Sequence, residues 1–435
     1  VVTNVGTLPR DSDQNPLEHK MVPMRVPFEG SYWELGLAAV WFFSTATVLP
    51  GMGGIRYLCL LGFIIGAVLN RDYLRPYLGH LWFFFLFPAW VLFSTLWSPN
   101  TGTAMKFGMM HFLDVMLLIY IAIRLSPQQI IRAIYYGYIP VALIVIAFIP
   151  NLGSHSVPMG FIEKNSVATR MLFMFMASLY MLYEARSFLW EKASALLFIP
   201  LCLLSIFLVE SATSLALAIL AFLVMTFIGT VWKTLTRVQA GTTLLMLTGG
   251  LMAMSVLLIA ISIFIDGPVN AFLDMMGKDA TLTGRTELWE FASKDLIPKH
   301  PFMGLGAEGF WQIGRGDAEG WLEYFYKEQG VRFSFHNSYI EMIVHLGYVG
   351  LITFLIPLAF SVWRAISNFF RYQDIASAFF LIVAVLALAR SMTESELYNV
   401  FDISKAMLFI GGITMLSSKT VLVPMPQNVM GRVRS

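Results

Sequence analysis

The feature that most constrains this chain is a succession of apolar blocks, each roughly 17–25 residues long, separated by polar connections. At about 1.5 Å per residue such a block matches the ~30 Å hydrocarbon layer of a bilayer, a length a buried core helix rarely needs. The blocks are continuous rather than alternating, which excludes a β-barrel, and only helices or closed barrels satisfy every backbone polar group in lipid. With 57% hydrophobic and only 13% charged residues, a soluble globular protein is excluded as well. The pattern predicts an all-α polytopic membrane protein of about twelve transmembrane helices. The spans fall roughly at 33–49, 53–69, 79–97, 105–123, 131–149, 166–183, 190–208, 211–231, 242–265, 339–361, 376–392 and 402–418.

Charge placement orients these spans. The 29 basic and 27 acidic residues nearly cancel, so the net charge of +2 says nothing about partners, and no nucleic-acid partner is expected. With the amino terminus inside, each predicted inner connection carries at least two basic residues, among them Arg71, Arg75, Arg124, Arg132, Arg186, Lys192, Lys233, Arg237, Arg364 and Arg371. The short outer connections carry few, which is the positive-inside pattern. The expected organisation is a flexible cytoplasmic tail (1–32), a first helical bundle (33–265), a large outer loop (266–338), three further helices (339–418) and a second cytoplasmic tail (419–435). The first 32 residues lack the apolar core and cleavage site of a signal peptide. Cys59 and Cys202 lie inside apolar blocks, where a small buried hydrophobe is expected and neither a disulfide nor a metal site is.

The loop is the longest stretch of soluble-like composition, so chemistry outside the membrane is expected there. Two of its segments, GRTELWEFASKDLI and EGWLEYFYKEQG, have mixed polar and aromatic faces of short amphipathic helices, and Trp321, Tyr324, Phe325 and Tyr326 would suit an interfacial aromatic belt. GLGAEG, from Gly304 to Gly309, fits a dinucleotide fingerprint formally but has no βαβ unit around it; a turn bringing backbone close to a ligand or helix is the better reading. Asp11-Ser12-Asp13 resembles a metal-binding pair of nucleotide-sugar transferases but is read as solvated linker.

His336 stands where the loop enters an apolar helix, a place at the water–lipid boundary where an imidazole can take or give a proton; bonding a loop carbonyl is the bland alternative. Asn337 and Glu341 share a helical face, Ser338-x-x-Glu341 also matches a capping box, and His345, nine residues from His336 and about 180° round the helix from it, is expected to be structural. Arg285 has the planar fork that suits a phosphate, against a plain salt bridge. Lys164 and Arg170 add cations at the same depth. One cation about 4 Å from a phosphate charge contributes roughly 4 kcal/mol at an effective dielectric near 20. Asp114, mid-span with His111 one turn away, is what a transporter would use. Arg390 and Glu394, at i and i+4, are expected to form an ion pair.

At these residues the chain resembles the superfamily of O-antigen ligases and Wzy-type polysaccharide polymerases, most closely its exopolysaccharide-polymerase branch. Four stretches carry the likeness: GFIEKNSVA, TLTGRTELWEF with HPFMGLGAEGFW, HNSYIEMIVHLGYVGL and SMTESELY. The resemblance implies a metal-independent, cofactor-free GT-C type glycosyltransferase of the bacterial inner membrane, acting on the periplasmic face. Its donor would be a polyprenyl-diphosphate-linked oligosaccharide, and its acceptor a second lipid-linked repeat unit, or lipid A core in a ligase. It implies that Arg285 binds the diphosphate and His336 assists the acceptor hydroxyl, and, by analogy only, a flippase and a chain-length regulator as partners. Glu308, Glu341, Asn337, Glu394 and Ser211 are candidate substrate-binding groups beside Lys164 and Arg170. In the serine-rich stretch VESATSLAL this chain has Ala212 where family members often carry a basic residue. A transporter of the same lipid-linked glycan, with an essential Asp114 and a dispensable outer loop, is the alternative of another class.

Overall fold

A computed structural model describes residues 21–27, 30–47, 49–148, 164–232, 284–331, 333–414 and 418–424. The predicted span 242–265, the first part of the outer loop (266–283), Arg332 and the Asp11-Ser12-Asp13 segment lie outside them. The helices are α1 (Tyr32–Ala46), α2 (Met52–Leu69), α3 (Arg71–His80), α4 (Leu86–Phe93), α5 (Thr101–Arg124), α6 (Pro127–Ala147), α7 (Lys164–Tyr183), α8 (Leu189–Leu208), α9 (Ala212–Thr226), α10 (Arg285–Phe291), α11 (Gly316–Tyr324), α12 (Ser338–Tyr372), α13 (Ile375–Ser391) and α14 (Ile403–Ile413). Among the described residues seven helices are long and apolar enough to cross a membrane, and an eighth span results if the α3–α4 pair, bent by 79°, crosses as one broken span. This is the helical pattern of a multi-pass membrane protein. The departure from an all-helical chain is an antiparallel ribbon, β1 (Met21–Pro27) with β2 (Ser418–Pro424), in the register Met21 to Pro424.

The helices begin where the sequence supplies caps. Ser126 and Gln129 form a reciprocal capping box ahead of Pro127 at the start of α6. Asn100, Asp374 and Asp402 accept backbone N–H bonds at the starts of α5, α13 and α14. α7 lies at the centre, packed on α6, α8 and α9, and almost every side chain from Val167 to Met181 is buried. The expected span 339–361 proves longer and discontinuous. α12 is interrupted at Gly347, whose φ of 68° and ψ of −176° leave the helical region.

The groups freed by that interruption are taken up by the segment 301–305 and by Trp90. Leu305 N–H donates to the Val344 carbonyl (2.9 Å) and Tyr348 N–H to the Pro301 carbonyl (2.8 Å), while Trp90 of α4 donates its indole N–H to the Leu346 carbonyl (2.9 Å). This crossing needs glycine on both sides: a Cβ on Gly304 would lie 2.5 Å from the His345 carbonyl carbon, and one on Gly347 would lie 2.1 Å from the Phe302 oxygen. Within GLGAEG, Gly304 therefore serves close backbone approach to a helix and Gly306 close approach to Ser98. Above the bundle, Leu288, Ala292, Leu296, Phe310, Ala318, Phe335 and Val344 form a second, small core that rigidifies the described part of the outer loop.

Candidate functional site

The short connection between α13 and α14 is where the bundle and the outer loop meet. Glu394, in this turn, gathers three side chains from distant parts of the chain. Its Oε1 accepts from Arg285 Nη2 (3.2 Å) at the start of α10 and from Asn165 Nδ2 (2.7 Å) on α7, and its Oε2 pairs with His336 Nδ1 (3.3 Å). Arg285 also donates to the Thr393 carbonyl. Burial alone would raise the Glu394 pKa, but the His336 hydrogen bond and the charges of Arg285, His336 and Arg390 outweigh it and hold the carboxyl below the usual range. An ionised Glu394 fixes the imidazole: Nδ1 carries the proton that it donates, and the lone pair of the neutral ring is left on Nε2.

His336 itself has φ of 50°, in the left-handed region, so the backbone there is held in a conformation that a non-glycine residue enters at a cost. The hold comes from its neighbours. Asn337 caps α12, accepting from Tyr339 N–H (3.0 Å) and Ile340 N–H (3.1 Å), and donates to the Met392 carbonyl (3.1 Å). Ser338 donates to the Glu394 carbonyl (2.7 Å). Glu341 accepts from Phe335 N–H (2.7 Å) and Ser395 Oγ (3.0 Å). The cap is thus Asn337, so the capping box that the spacing of Ser338 and Glu341 also allowed does not form, and Glu341 braces the loop. His345 accepts from Gly309 N–H at Nδ1 (3.2 Å), so its Nε2 carries the proton toward Glu341 (3.2 Å), and its ring stacks on Tyr398 at 5.4 Å. It is structural, as expected.

His336 and Glu394 line a cavity of about 140 Å³ that continues between Asn165, Thr169, Arg170, Tyr138, Glu396 and Asp402. Arg285 reaches the same carboxylate but is not among the residues lining the cavity. Arg170 is, whereas the side chain of Lys164 lies outside the described residues. Arg390 does not pair with Glu394 as expected. The last turn of α13 ends at Ser391, the chain swings round, and Arg390 instead holds Glu396 through Nε (2.9 and 3.1 Å) and donates to Ser214 Oγ (2.9 Å). A guanidinium therefore does reach the serine-rich stretch beside Ala212, from α13, with Glu396 neutralising it. Ser211 bonds Ser214 (3.0 Å), next to this pair rather than in the cavity lining. Glu308 stands apart in the turn above α12 and does not line the cavity. Asn165, Thr169, Glu396 and Asp402 were not singled out in the sequence; Asn165 and Thr169 share the GFIEKNSVATR segment with Lys164 and Arg170, which was the available signal.

Asp114 is buried and salt-bridged to Lys405 of α14 (2.8 Å). It also accepts from Phe401 N–H (3.2 Å), while Lys405 donates to the Asn399 carbonyl (2.5 Å). The mid-span charge thus has a partner and ties α5 to the far end of the turn that carries Glu394.

The O-antigen ligase family matches residues 195–355. The chain is also 26% identical, over 372 residues and 82% of either chain, to the exopolysaccharide production protein ExoQ of Rhizobium meliloti. Both comparisons support the O-antigen ligase and Wzy-type superfamily. The segment matching the ligase family contains Ser211, Arg285, Glu308, His336, Asn337 and Glu341, while Glu394 and the cavity residues of α7 lie outside it.

Proposed function

We propose that the protein is an inner-membrane glycosyltransferase that moves a polyprenyl-diphosphate-linked oligosaccharide onto the acceptor sugar of another lipid-linked repeat unit, on the periplasmic face. One observation carries the reading: Arg285 and His336, 51 positions apart in sequence, converge on the single carboxylate of Glu394 at the edge of a polar cavity. No nucleotide sugar is available outside the inner membrane, so the sugar must arrive activated on a lipid whose diphosphate is the leaving group.

In this mechanism His336 Nε2 takes the proton of the acceptor hydroxyl as that oxygen attacks the anomeric carbon and the bond to the diphosphate breaks. Glu394 stabilises the imidazolium that results. Arg285 has five N–H donors and spends two of its nitrogens on Glu394 and Thr393, so donors remain for the departing diphosphate. A general base contributes about 10²–10⁴-fold, and stabilisation of the leaving charge a comparable or larger share. Arg170 and Lys164 are the further cations proposed for the diphosphate end, while Asn337 and Glu341 hold the segment that carries His336, and Glu308 and Ser211 lie outside the cavity lining. No metal or cofactor takes part.

Incubation of the purified protein with synthetic lipid-diphosphate repeat units tests this directly. Longer products are expected from the wild type, and a fall of about 10²-fold or more in kcat for His336→Ala and Arg285→Ala. No elongation with any plausible acceptor, or unchanged activity in both variants, would defeat the proposal. The ligase reading, with lipid A core as acceptor, is favoured by the description of the matching family; a deletion strain that still makes long polymer but fails to attach it would select it over the polymerase. The transporter reading differs in requiring an essential Asp114, here paired with Lys405, and a dispensable outer loop.

A further inference from the structure

The outer loop carries a second concavity that the transfer chemistry does not use. It has a volume of about 300 Å³ and is lined by Phe291, Gly316, Asp317, Gly320, Trp321 and Tyr324. Its walls are aromatic: Trp321 meets Phe291 at 5.4 Å and Tyr324 at 5.4 Å with an interplanar angle of 78°, and Tyr324 is 54% exposed. Its floor is bare, since a Cβ on Gly316 or Gly320 would meet nothing within 4 Å. An exposed carboxylate, Asp317, stands on its rim.

We infer that this shelf is a saccharide-binding subsite that holds the glycan at a distance from the reacting end; the inference rests on the transferase reading above. Sugar rings present an apolar C–H face that lies on aromatic rings and hydroxyls that donate to carboxylates, and the shelf offers both, with open space between them. Its position fits the task. A ladder of rings runs from the shelf to the candidate base, Trp321 to Phe325 (6.0 Å), Phe325 to Phe333 (5.2 Å) and Phe333 to His336 (5.3 Å), each step about the size of one sugar unit. Charge separates this occupant from a lipid surface. α11, GDAEGWLEY, holds Asp317, Glu319 and Glu323 and no basic residue, so an anionic headgroup layer would repel it while a neutral or hydroxyl-rich glycan would not.

The test uses the full-length protein in zwitterionic nanodiscs and, as probe, the soluble oligosaccharide released by partial acid hydrolysis of the host cell's own exopolysaccharide, with binding read by saturation-transfer NMR. Wild type and Asp72→Asn, an exposed residue of α3 outside the loop, are expected to bind alike. Tyr324→Ala and Asp317→Asn are expected to weaken binding about fivefold to tenfold. Gly320→Leu fills the shelf while favouring the helix, and is expected to abolish binding in a protein that still folds. In the transfer assay the same variants raise KM with kcat held, and shorten the products. Binding and KM unchanged in Gly320→Leu and Tyr324→Ala would overturn the subsite even if transfer is seen. Binding lost in those variants, with no transfer by the wild type, would leave the subsite standing and remove the transferase. Tighter association of wild type than of Tyr324→Ala with anionic vesicles, and no oligosaccharide signal, would assign the shelf to the membrane surface and overturn the inference.

Discussion

Glu394 is the residue on which the most depends. Glu394→Gln keeps the shape and an acceptor for the imidazole N–H but removes the charge that fixes the tautomer and steadies the imidazolium. The expected outcome is a loss of about 10²–10⁴-fold in kcat, with a smaller change in KM, read from elongation kinetics. The same residue sets a pH dependence of stability. Its folded pKa lies below the ordinary value of 4.5, so its contribution is complete above that value and disappears as pH falls through the folded one. Thermal unfolding of wild type and Glu394→Gln should therefore differ most above pH 4.5 and converge in more acidic buffer. A gap that widens on acidification would contradict the assignment. His336 and Arg285 were legible in the sequence because a loop-to-helix junction and an amphipathic helix start are local features. The role of Glu394 was not, because helical spacing was extended past Ser391, where α13 ends, and so paired Glu394 with Arg390 instead of Glu396.

At the scale of elements, α12 and the segment crossing it form one unit. Gly347→Ala must place a methyl group against the Phe302 carbonyl while keeping a positive φ, which should destabilise the protein by about 2–4 kcal/mol and expose the 301–305 crossing to protease. Unfolding temperature and limited proteolysis together check it; full protection would show that the crossing does not depend on the glycine. Most of the predicted spans that lie within the described residues coincide with helices, because a run of apolar residues is a one-dimensional signal, but 79–97 is broken into short helical pieces and 402–418 is helical only over Ile403–Ile413. The break in α12 is not one-dimensional. HLGYVGL reads as uninterrupted helix, and only the arrival of Leu305 and Pro301 from elsewhere in the chain makes the interruption favourable.

For the whole molecule, the buried Asp114–Lys405 pair joins α5 to α14 and so sets the position of the turn between α13 and α14. Lys405→Met leaves Asp114, 1% exposed, as an uncompensated charge and should cost about 3–5 kcal/mol, whereas the double change Asp114→Leu with Lys405→Met should recover most of that loss. Calorimetry of the three proteins in one detergent measures the difference; a double variant as unstable as the single one would mean that the pair does more than neutralise itself. The sequence marked Asp114 as unusual but could not name its partner, which lies 291 positions away and gives no spacing to read.

The joint at Gly347 has a mechanical consequence. Ser338–Leu346 carries the braces of His336 and is fastened to the segment 301–305, while the run that follows Gly347 has the apolar composition of a membrane span. A span that tilts to match a thicker or thinner membrane pivots at that joint. The candidate groups would then ride with the segment on the near side of the joint, set apart from that tilt.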